Sequence, residues 1–525
     1  MSAPLNAPCV DVAIVGGGSV AVSFLYQLLA AHVPGTPLTI ALFEPGETVG
    51  PGSAYQHDLP SNLLNIPVNR MSAVAAAPDS FLEWLRALDP LVLREAGVEA
   101  IDPGGVVPRP LFGRYLQDLY ARALDRAQRQ GVTVRHVRER VVGAWRYRVP
   151  TQEAHATQEV QGTQHTPIRT HAIVQGAGGT RLCASHVVLC NGNLPSTAFP
   201  ALAHLPGYFN SPYPVADMTQ RIGAQDAVCI VGTSLSAIDA IAALDRAGHQ
   251  GPIHCISRNG RLPAVRSPHN RRVTLPRLPE PETDGRTTLD GLLDSLRRAL
   301  RAAGGQEDPN DVLGLAGPAD AALDEEIRRS QAGPRPWQAV AAATNERIEH
   351  IWHALDDAER ARFHRDWRTL WMARRATFPM GNALILQRLL HDGRLHVQGG
   401  FQSVRYDAAS GEFVLAHGTG ELRAAWLINA TSFSMTVATS DDPLMRQLCA
   451  DGLARAHPLG GLDLDFDTGC LIDDEGRPVD SITVLGSLAA GTYFWTTSME
   501  INARLAAGQA DRIAAALAAR GVMAL

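Results

Sequence analysis

The chain contains one strand–turn–helix unit twice: residues 11–29 read DVAIVGGGSVAVSFLYQLL and residues 228–244 read VCIVGTSLSAIDAIAAL. Each opens on an apolar run without polar alternation, the mark of a strand covered on both faces in a parallel sheet. In the first unit the run leads into Gly16-x-Gly18-x-x-Ala21. The first glycine permits the tight turn, the second lets a pyrophosphate approach the backbone, and the small third residue lets the helix pack on the sheet. The helix N-terminus then offers free N–H donors and a partial positive charge to the phosphates. A second apolar strand, LTIALFE, ends at Glu44, placed to accept hydrogen bonds from ribose hydroxyls. Gly16, Gly18, Ser19 and Glu44 are therefore assigned to a cofactor.

The second unit carries Gly232-x-Ser234-x-x-Ala237, and Leu235, Ile238, Ile241 and Leu244 follow at helical spacing. Its next strand, PIHCIS, ends in Ser257-Arg258 and not in an acid. A carboxylate there repels a 2′-phosphate, whereas Arg pairs with one in a bidentate fork. The first unit therefore suits FAD and the second NADPH, with Gly232, Ser234, Leu235, Ser257 and Arg258 as contacts. Ser234 is acceptable where the ligand lies farther from the turn, and its hydroxyl can donate to phosphate.

This predicts an α/β chain with two Rossmann-like dinucleotide-binding domains, the NADPH domain inserted in the FAD domain, and an α-helical insertion. The expected bounds are 1–210 and 396–525 for the FAD domain and 211–395 for the NADPH domain, with the helices at about 276–378. A helix over 111–130 leads to the strand VTVRHVRERVVGAW, whose Val141 is expected to give backbone to the adenine pocket. Residues 150–180 lack periodicity and read as a surface hairpin or loop; His155, His165 and His171 lack metal-ligand spacing. HVVLCNGNLPS restores a buried strand that leads to Gly192, near the domain junction.

After a Pro-rich linker, Leu289, Leu292, Leu293, Leu296 and Leu300 form one amphipathic stripe, and Phe363, Trp367, Leu370 and Trp371 another. These aromatics read as core, and the block as a lid or cap. RLHVQGGFQSVRYD, EFVLAH and AWLINATSF read as strands returning to the FAD domain. A last strand, a loop with Gly486 and a long helix opening at Met499-Glu500-Ile501 should aim a helix N-terminus at the flavin, making Gly486, Met499 and Ile501 candidates.

With 19% charged residues, a net charge of −6 and no basic segment, the composition points away from nucleic acid. All 47 cations are Arg, so no lysine chemistry is available and anions must be held by Arg, backbone N–H groups or helix ends. The seven cysteines include no C-x-x-C pair and read as buried thiols. With no charged-then-apolar leader and no apolar run of membrane length, a cytoplasmic protein is expected; whether it is a homo-oligomer is left open.

The stretches GPGSAYQHDLPSNLLNIPVNRMSA, VPRPLFGRYLQDLY, ISRNGRLP and IWHALDDAERARFHRDWRTLWMARRA resemble the FAD/NAD(P)-binding protein family. The group is similar to two-dinucleotide flavin monooxygenases, including enzymes that oxidise L-aspartate on nitrogen to nitrosuccinate. The resemblance implies an FAD- and NADPH-dependent monooxygenase that uses a flavin C4a-hydroperoxide to hydroxylate the amine of a small polar substrate, such as an amino acid. Molecular oxygen is then the co-substrate. Asn65 and Met71 fall at the flavin's reactive edge by family position, and Arg70 and Arg266 are candidate clamps for a substrate carboxylate. One departure stands out: where the family reads A-T-G, this chain reads NATSF, with Ser432 in place of Gly. Oxidation of sulfur or a ketone, or electron transfer to a partner protein, are the alternatives.

Overall fold

The computed structural model describes residues 7–150, 168–275, 286–418 and 420–523. The first repeat unit founds an eight-stranded sheet. Its strands are β1 (Cys9–Val15), β2 (Thr39–Phe43), β3 (Thr133–Val137), β4 (Val141–Pro150), β5 (Ile168–Gly176) and β6 (Arg181–Leu189). The second unit founds a five-stranded parallel sheet from β7 (Tyr208–Phe209), β8 (Val228–Val231), β9 (Ile253–Ile256), β10 (Leu395–Gln398) and the later β14 (Trp426–Asn429), in the order β10-β9-β8-β14-β7. Between β10 and β14 lie β11 (Phe401–Asp407), β12 (Glu412–His417) and β13 (Gly420–Ala424), an antiparallel sheet of their own. The chain then returns to the first sheet through β15 (Cys470–Ile472) and β16 (Pro478–Val484). The mixed α/β architecture with two Rossmann-like units is as predicted.

Three strand assignments are corrected. RLHVQ and AWLIN do not return to the first sheet: β10 pairs with β9 and β14 with β8, both parallel. The strand FQSVRYD and EFVLAH form the separate antiparallel unit. The physical reason is that β8 needs a parallel neighbour on each side to satisfy its backbone. The apolar run of β14 supplies one, as β6 does for β1. VTVRHVRERVVGAW is two strands, β3 and β4, separated by a turn closed by Glu139 N–H donating to the Val137 carbonyl at 2.8 Å. The hairpin expected over 150–180 is seen in its arms, β4 against β5; His155, His165 and part of the Pro-rich linker lie outside the described residues.

The helix Ser19–Ala31 is apolar on nearly all sides because it is buried between the first sheet and the long helix Met499–Met523. Buried Gln27 ties the two helices by donating from Nε2 to the Ala503 carbonyl at 3.0 Å. The helix Arg109–Gln130 begins with Pro110 in its first turn and ends at Gly131, left-handed at φ 70°, the asymmetry that satisfies both ends. No helix among the described residues is long and apolar enough to cross a membrane.

The two units are joined by buried polar contacts. Asp58 accepts from the N–H groups of Val215 and Ala216, each at 3.0 Å. Arg109 Nη2 donates to Asp239 Oδ2 at 2.8 Å, and the Tyr213 hydroxyl donates to the same oxygen at 2.6 Å. Asp239 is 1% exposed, and burial raises its pKa while Arg109 opposes the rise. Removing one partner of a buried pair leaves an uncompensated charge. Asp239→Ala is therefore expected to lower stability by about 3–5 kcal/mol, measured as a fall in the urea midpoint.

Candidate active site

The two units repeat each other bond for bond. Gly16 N–H donates to the Phe43 carbonyl at 2.8 Å, and Gly232 N–H to that of Ile256 at 2.7 Å. Cys190 N–H donates to Val15 at 2.7 Å, and Ala430 N–H to Val231 at 2.8 Å. Gly16 and Gly232 have φ of 98° and 118°. A Cβ on Gly16 would collide with the Cys190 carbonyl, and one on Gly232 would lie 2.5 Å from that of Ala430. Both positions thus require glycine for conformation and for space.

This correspondence explains the differences between the units. A Cβ on Gly17 would lie 2.7 Å from the Glu44 side chain, so Glu44 demands glycine there. The matching pair in the second unit is Thr233 and Ser257, whose hydroxyls share a hydrogen bond of 3.0 Å. Glu44 accepts from Gly17 N–H at 2.9 Å and Gly46 N–H at 3.0 Å. Gly18 meets no protein atom nearer than 3.7 Å where a Cβ would be, so Ser234 at the matching position is free of clash. Both helices start without a side-chain cap and without an acid in the first turn, leaving their N–H groups for an anion.

Both turns face one cavity of about 1640 Å³, larger than the roughly 300–1,000 Å³ of a pocket for one small ligand. Gly18, Ser19, Gly192, Gly232, Ser234, Leu235, Ser257, Arg258, Gly486 and Met499 line it, with Asn65, Arg70, Met71 and Arg266. Gly16, Glu44 and Val141 do not reach it: Gly16 and Glu44 are taken up in the turn, and Val141 is in the core. Ile501 is not among the lining residues, and its side chain is fully buried. Its neighbours Met499, Glu500 and Asn502 face the cavity at the start of the last helix.

One wall carries charge that the protein does not balance. Arg266 Nε donates to Thr377 Oγ1 at 3.1 Å, and Nη2 donates to the carbonyls of Asn65 and Thr377. Arg375 Nη2 donates to Asn345 Oδ1 at 2.7 Å and its guanidinium lies over Trp495. Arg70 pairs with Glu500 at 3.2 Å, and Asn345 Nδ2 donates to the same carboxylate at 3.1 Å. Burial and then Arg70 push the Arg266 pKa down to about 10 and the Arg375 pKa down to about 9. Only Arg70 of the three is paired with Glu500, and an arriving anion would favour the charged forms of Arg266 and Arg375.

Arg375 escaped sequence reasoning. It lies in Phe363–Arg375, whose first five residues form a π-turn that continues into the helix Arg368–Arg375. His364, Arg368, Met372 and Arg375 share the face that lines the cavity. The aromatic stripe of Phe363, Trp367, Leu370 and Trp371 is half-buried, and Phe363 and Trp367 pack against a core of Leu289, Trp352 and Leu355. His364, Arg368 and Arg375, at i, i+4 and i+11 beside the aromatic stripe, were the available signal. The helical block is held to both units. Arg504 makes a bidentate pair with Glu349 at 2.8 and 2.6 Å, and Ala264 N–H donates to Ala373 at 2.9 Å.

Two non-glycine residues on the cavity wall have left-handed backbones, Ser432 at φ 91° and Phe494 at φ 68°. Phe494 centres a γ-turn (ψ −71°) closed by Trp495 N–H donating to the Tyr493 carbonyl at 3.0 Å, a strained geometry. Its ring stacks on Trp352 at 4.6 Å, which holds it there. The seven cysteines are all free; Cys190 lines the cavity, and burial raises its thiol pKa.

Residues 13–194 match the family model described as FAD-NAD(P)-binding. An uncharacterized Escherichia coli (strain K12) protein, YdhS, is 23% identical over 454 residues, covering 74% of this chain and 76% of that protein. The fold is similar to an ornithine N-hydroxylase of Kutzneria sp. 744 (TM-score 0.53, 15% identity, 98% of this chain and 100% of that one). It is also similar to an L-lysine 6-monooxygenase of Pseudomonas syringae (TM-score 0.54, 16% identity, 97% and 99%). These likenesses establish a shared fold.

Ser432 stands two residues beyond Ala430, as Gly192 (φ 74°) stands two beyond Cys190. The departure noted in the sequence is therefore a serine at a glycine conformation. Ser432→Gly is expected to raise stability by about 1 kcal/mol, read as a higher thermal midpoint.

Proposed function

We propose that the chain is an FAD- and NADPH-dependent monooxygenase that hydroxylates the amine of a small polar substrate, an amino acid such as aspartate. The observation that carries this reading is the convergence of two matched phosphate cradles on one cavity that is also lined by Arg70, paired with Glu500, and by Arg266 and Arg375, which make no ion pair among the described residues. The fit of the first cradle to FAD rests on Gly16, whose Cβ would occupy the turn, and on the uncapped helix behind Gly18. The fit of the second to NADPH rests on the replacement of the Glu44 carboxylate by the Ser257 hydroxyl, with Arg258 next to it.

When bound, the nicotinamide supplies a hydride and the flavin passes the electrons to oxygen, leaving water and a hydroxylated amine. The residues of this chain have three tasks. Arg266 and Arg375 have no carboxylate partner among the described residues, so they can clamp substrate carboxylates in bidentate fashion. Their charge also disfavours a substrate ammonium, leaving the amine lone pair free to react. The ring of Phe494 and the helical block exclude water from the same space. Cys190 supports the choice of oxygen over a dithiol: its protonated thiol is buried and makes no disulfide. The ornithine and lysine enzymes of the same fold, and a cadaverine monooxygenase of Erwinia amylovora (TM-score 0.51), act on amines, which supports nitrogen over sulfur or a carbonyl.

The purified protein should be yellow and oxidise NADPH faster in the presence of its substrate. A screen of amino acids, amines, sulfides and ketones, with products identified by mass, should find a nitrogen-oxidised product. Peroxide as the sole product with every compound would overturn the reading. Arg375→Ala should weaken KM for an anionic substrate by about ten- to a hundredfold, the loss of one charge-assisted contact. For the second cradle, Thr233→Gly with Ser257→Glu recreates the Gly17–Glu44 pair and should shift preference from NADPH towards NADH; Ser257→Glu alone should also lose stability by crowding Thr233.

A further inference from the structure

The helix that brings Arg375 to the cavity brings a second unbalanced arginine there. Arg368 opens the helix Arg368–Arg375, directly after the π-turn Phe363–Trp367. His364 and Arg368 stand on the cavity wall with Met372 and Arg375, the spacing of one helical face. Other arginines of this segment are engaged. Arg362 pairs with Asp290, Arg365 with Asp366, and Arg374 with Glu326. Among the described residues Arg368 makes no ion pair.

The charge nearest to Arg368 in effect is another arginine. Burial first, and then the charge of Arg258, lower the Arg368 pKa. Arg258 follows β9 at the position next to Ser257, is exposed, and also makes no ion pair among the described residues. Its main chain is fixed: the Arg258 carbonyl accepts from Gly400 N–H at 2.9 Å, and Ser257 Oγ accepts from Gly260 N–H at 3.0 Å. Neutral His364, its pKa pushed down to about 4 by burial and by Arg368, adds no charge there. Two like charges facing one cavity, neither in an ion pair among the described residues, repel each other until an anion separates them, and guanidiniums favour phosphate through paired N–H donors.

We propose that Arg368 and Arg258 jointly bind the 2′-phosphate of NADPH, so that the helical block as well as the nucleotide-binding sheet sets the preference for NADPH over NADH. The inference rests on the reading of the second cradle as a nicotinamide-nucleotide site. It adds to it a phosphate contact from an element outside the sheet.

The test uses the full-length, flavin-loaded protein and calorimetry with four probes: NADP⁺, NAD⁺, adenosine 2′,5′-bisphosphate and AMP. Arg368→Gln should weaken NADP⁺ and the bisphosphate by about ten- to a hundredfold, and NAD⁺ and AMP hardly at all. Arg368→Lys should recover part of the loss, since charge is kept and the fork is not. Hydrogen exchange over residues 357–375 should slow with NADP⁺ more than with NAD⁺, and Arg368→Gln should abolish that difference. If Arg368→Gln keeps the original ratio of NADP⁺ to NAD⁺ affinity while Arg258→Gln loses it, the proposal is overturned and the cradle assignment stands. If the unsubstituted protein does not distinguish the two nucleotides, the cradle assignment falls and the proposal with it.

Discussion

The structure depends on a backbone contact made twice. In each unit the glycine after the first strand donates to the neighbouring strand on one side and presses against a carbonyl on the other: Cys190 for Gly16, Ala430 for Gly232. No side chain fits between them, so the turn is drawn tight and the following helix starts where the strands end. A parallel sheet puts all its strand ends on one side. β6 and β14 therefore deliver the segments containing Gly192 and Ser432 to the same cavity as the helix N-termini.

Once two such edges face each other, the space between them is too large for one ligand and must be closed by something else. The helical block does this with contacts to both units: Arg504 with Glu349 on one side, and the strand-like pairing of Ala264 with Ala373 and Phe378 on the other. Trp352 contributes twice, donating from Nε1 to the Gly491 carbonyl at 2.8 Å and stacking on Phe494. A block fastened at both edges is a wall rather than a free lid. Buried pairs such as Glu326 with Arg335 and Arg374 stiffen its interior, leaving Arg368 and Arg375 on the cavity face unpaired by acids.

The parts of this arrangement that were legible in the sequence are local ones. Glycine spacing, apolar strands and the acid-to-Ser-Arg change at the second strand end are set by neighbours a few residues apart, so the two turns and their helices could be read directly. The placement of β14 could not. Its apolar run fits the centre of either sheet, and only the need of β8 for a second parallel partner, about two hundred residues earlier, decides it. Arg374 and Arg375 are adjacent and both line the cavity, yet Arg374 is paired with Glu326 and Arg375 with no acid among the described residues. The acid that separates them lies 48 residues earlier in the chain, so their neighbours in sequence do not show which one it pairs with.

The absence of lysine gives these assignments a common cause. A lysine ammonium is a strongly hydrated point charge, and packing two or three of them against one cavity without acids would shift their protons off. Arginine keeps its charge more firmly, spreads it over a plane, and can rest on an aromatic ring, as Arg375 does on Trp495. The cavity can therefore hold unbalanced positive charge on Arg258 and Arg368 and on Arg266 and Arg375. The same space is lined by Phe494, held in a strained turn by its stacking on Trp352. On the proposed reading, different members of this arginine set would hold the anionic groups of the substrate and the phosphate of the carrier, and uncharged reacting parts would meet apolar lining.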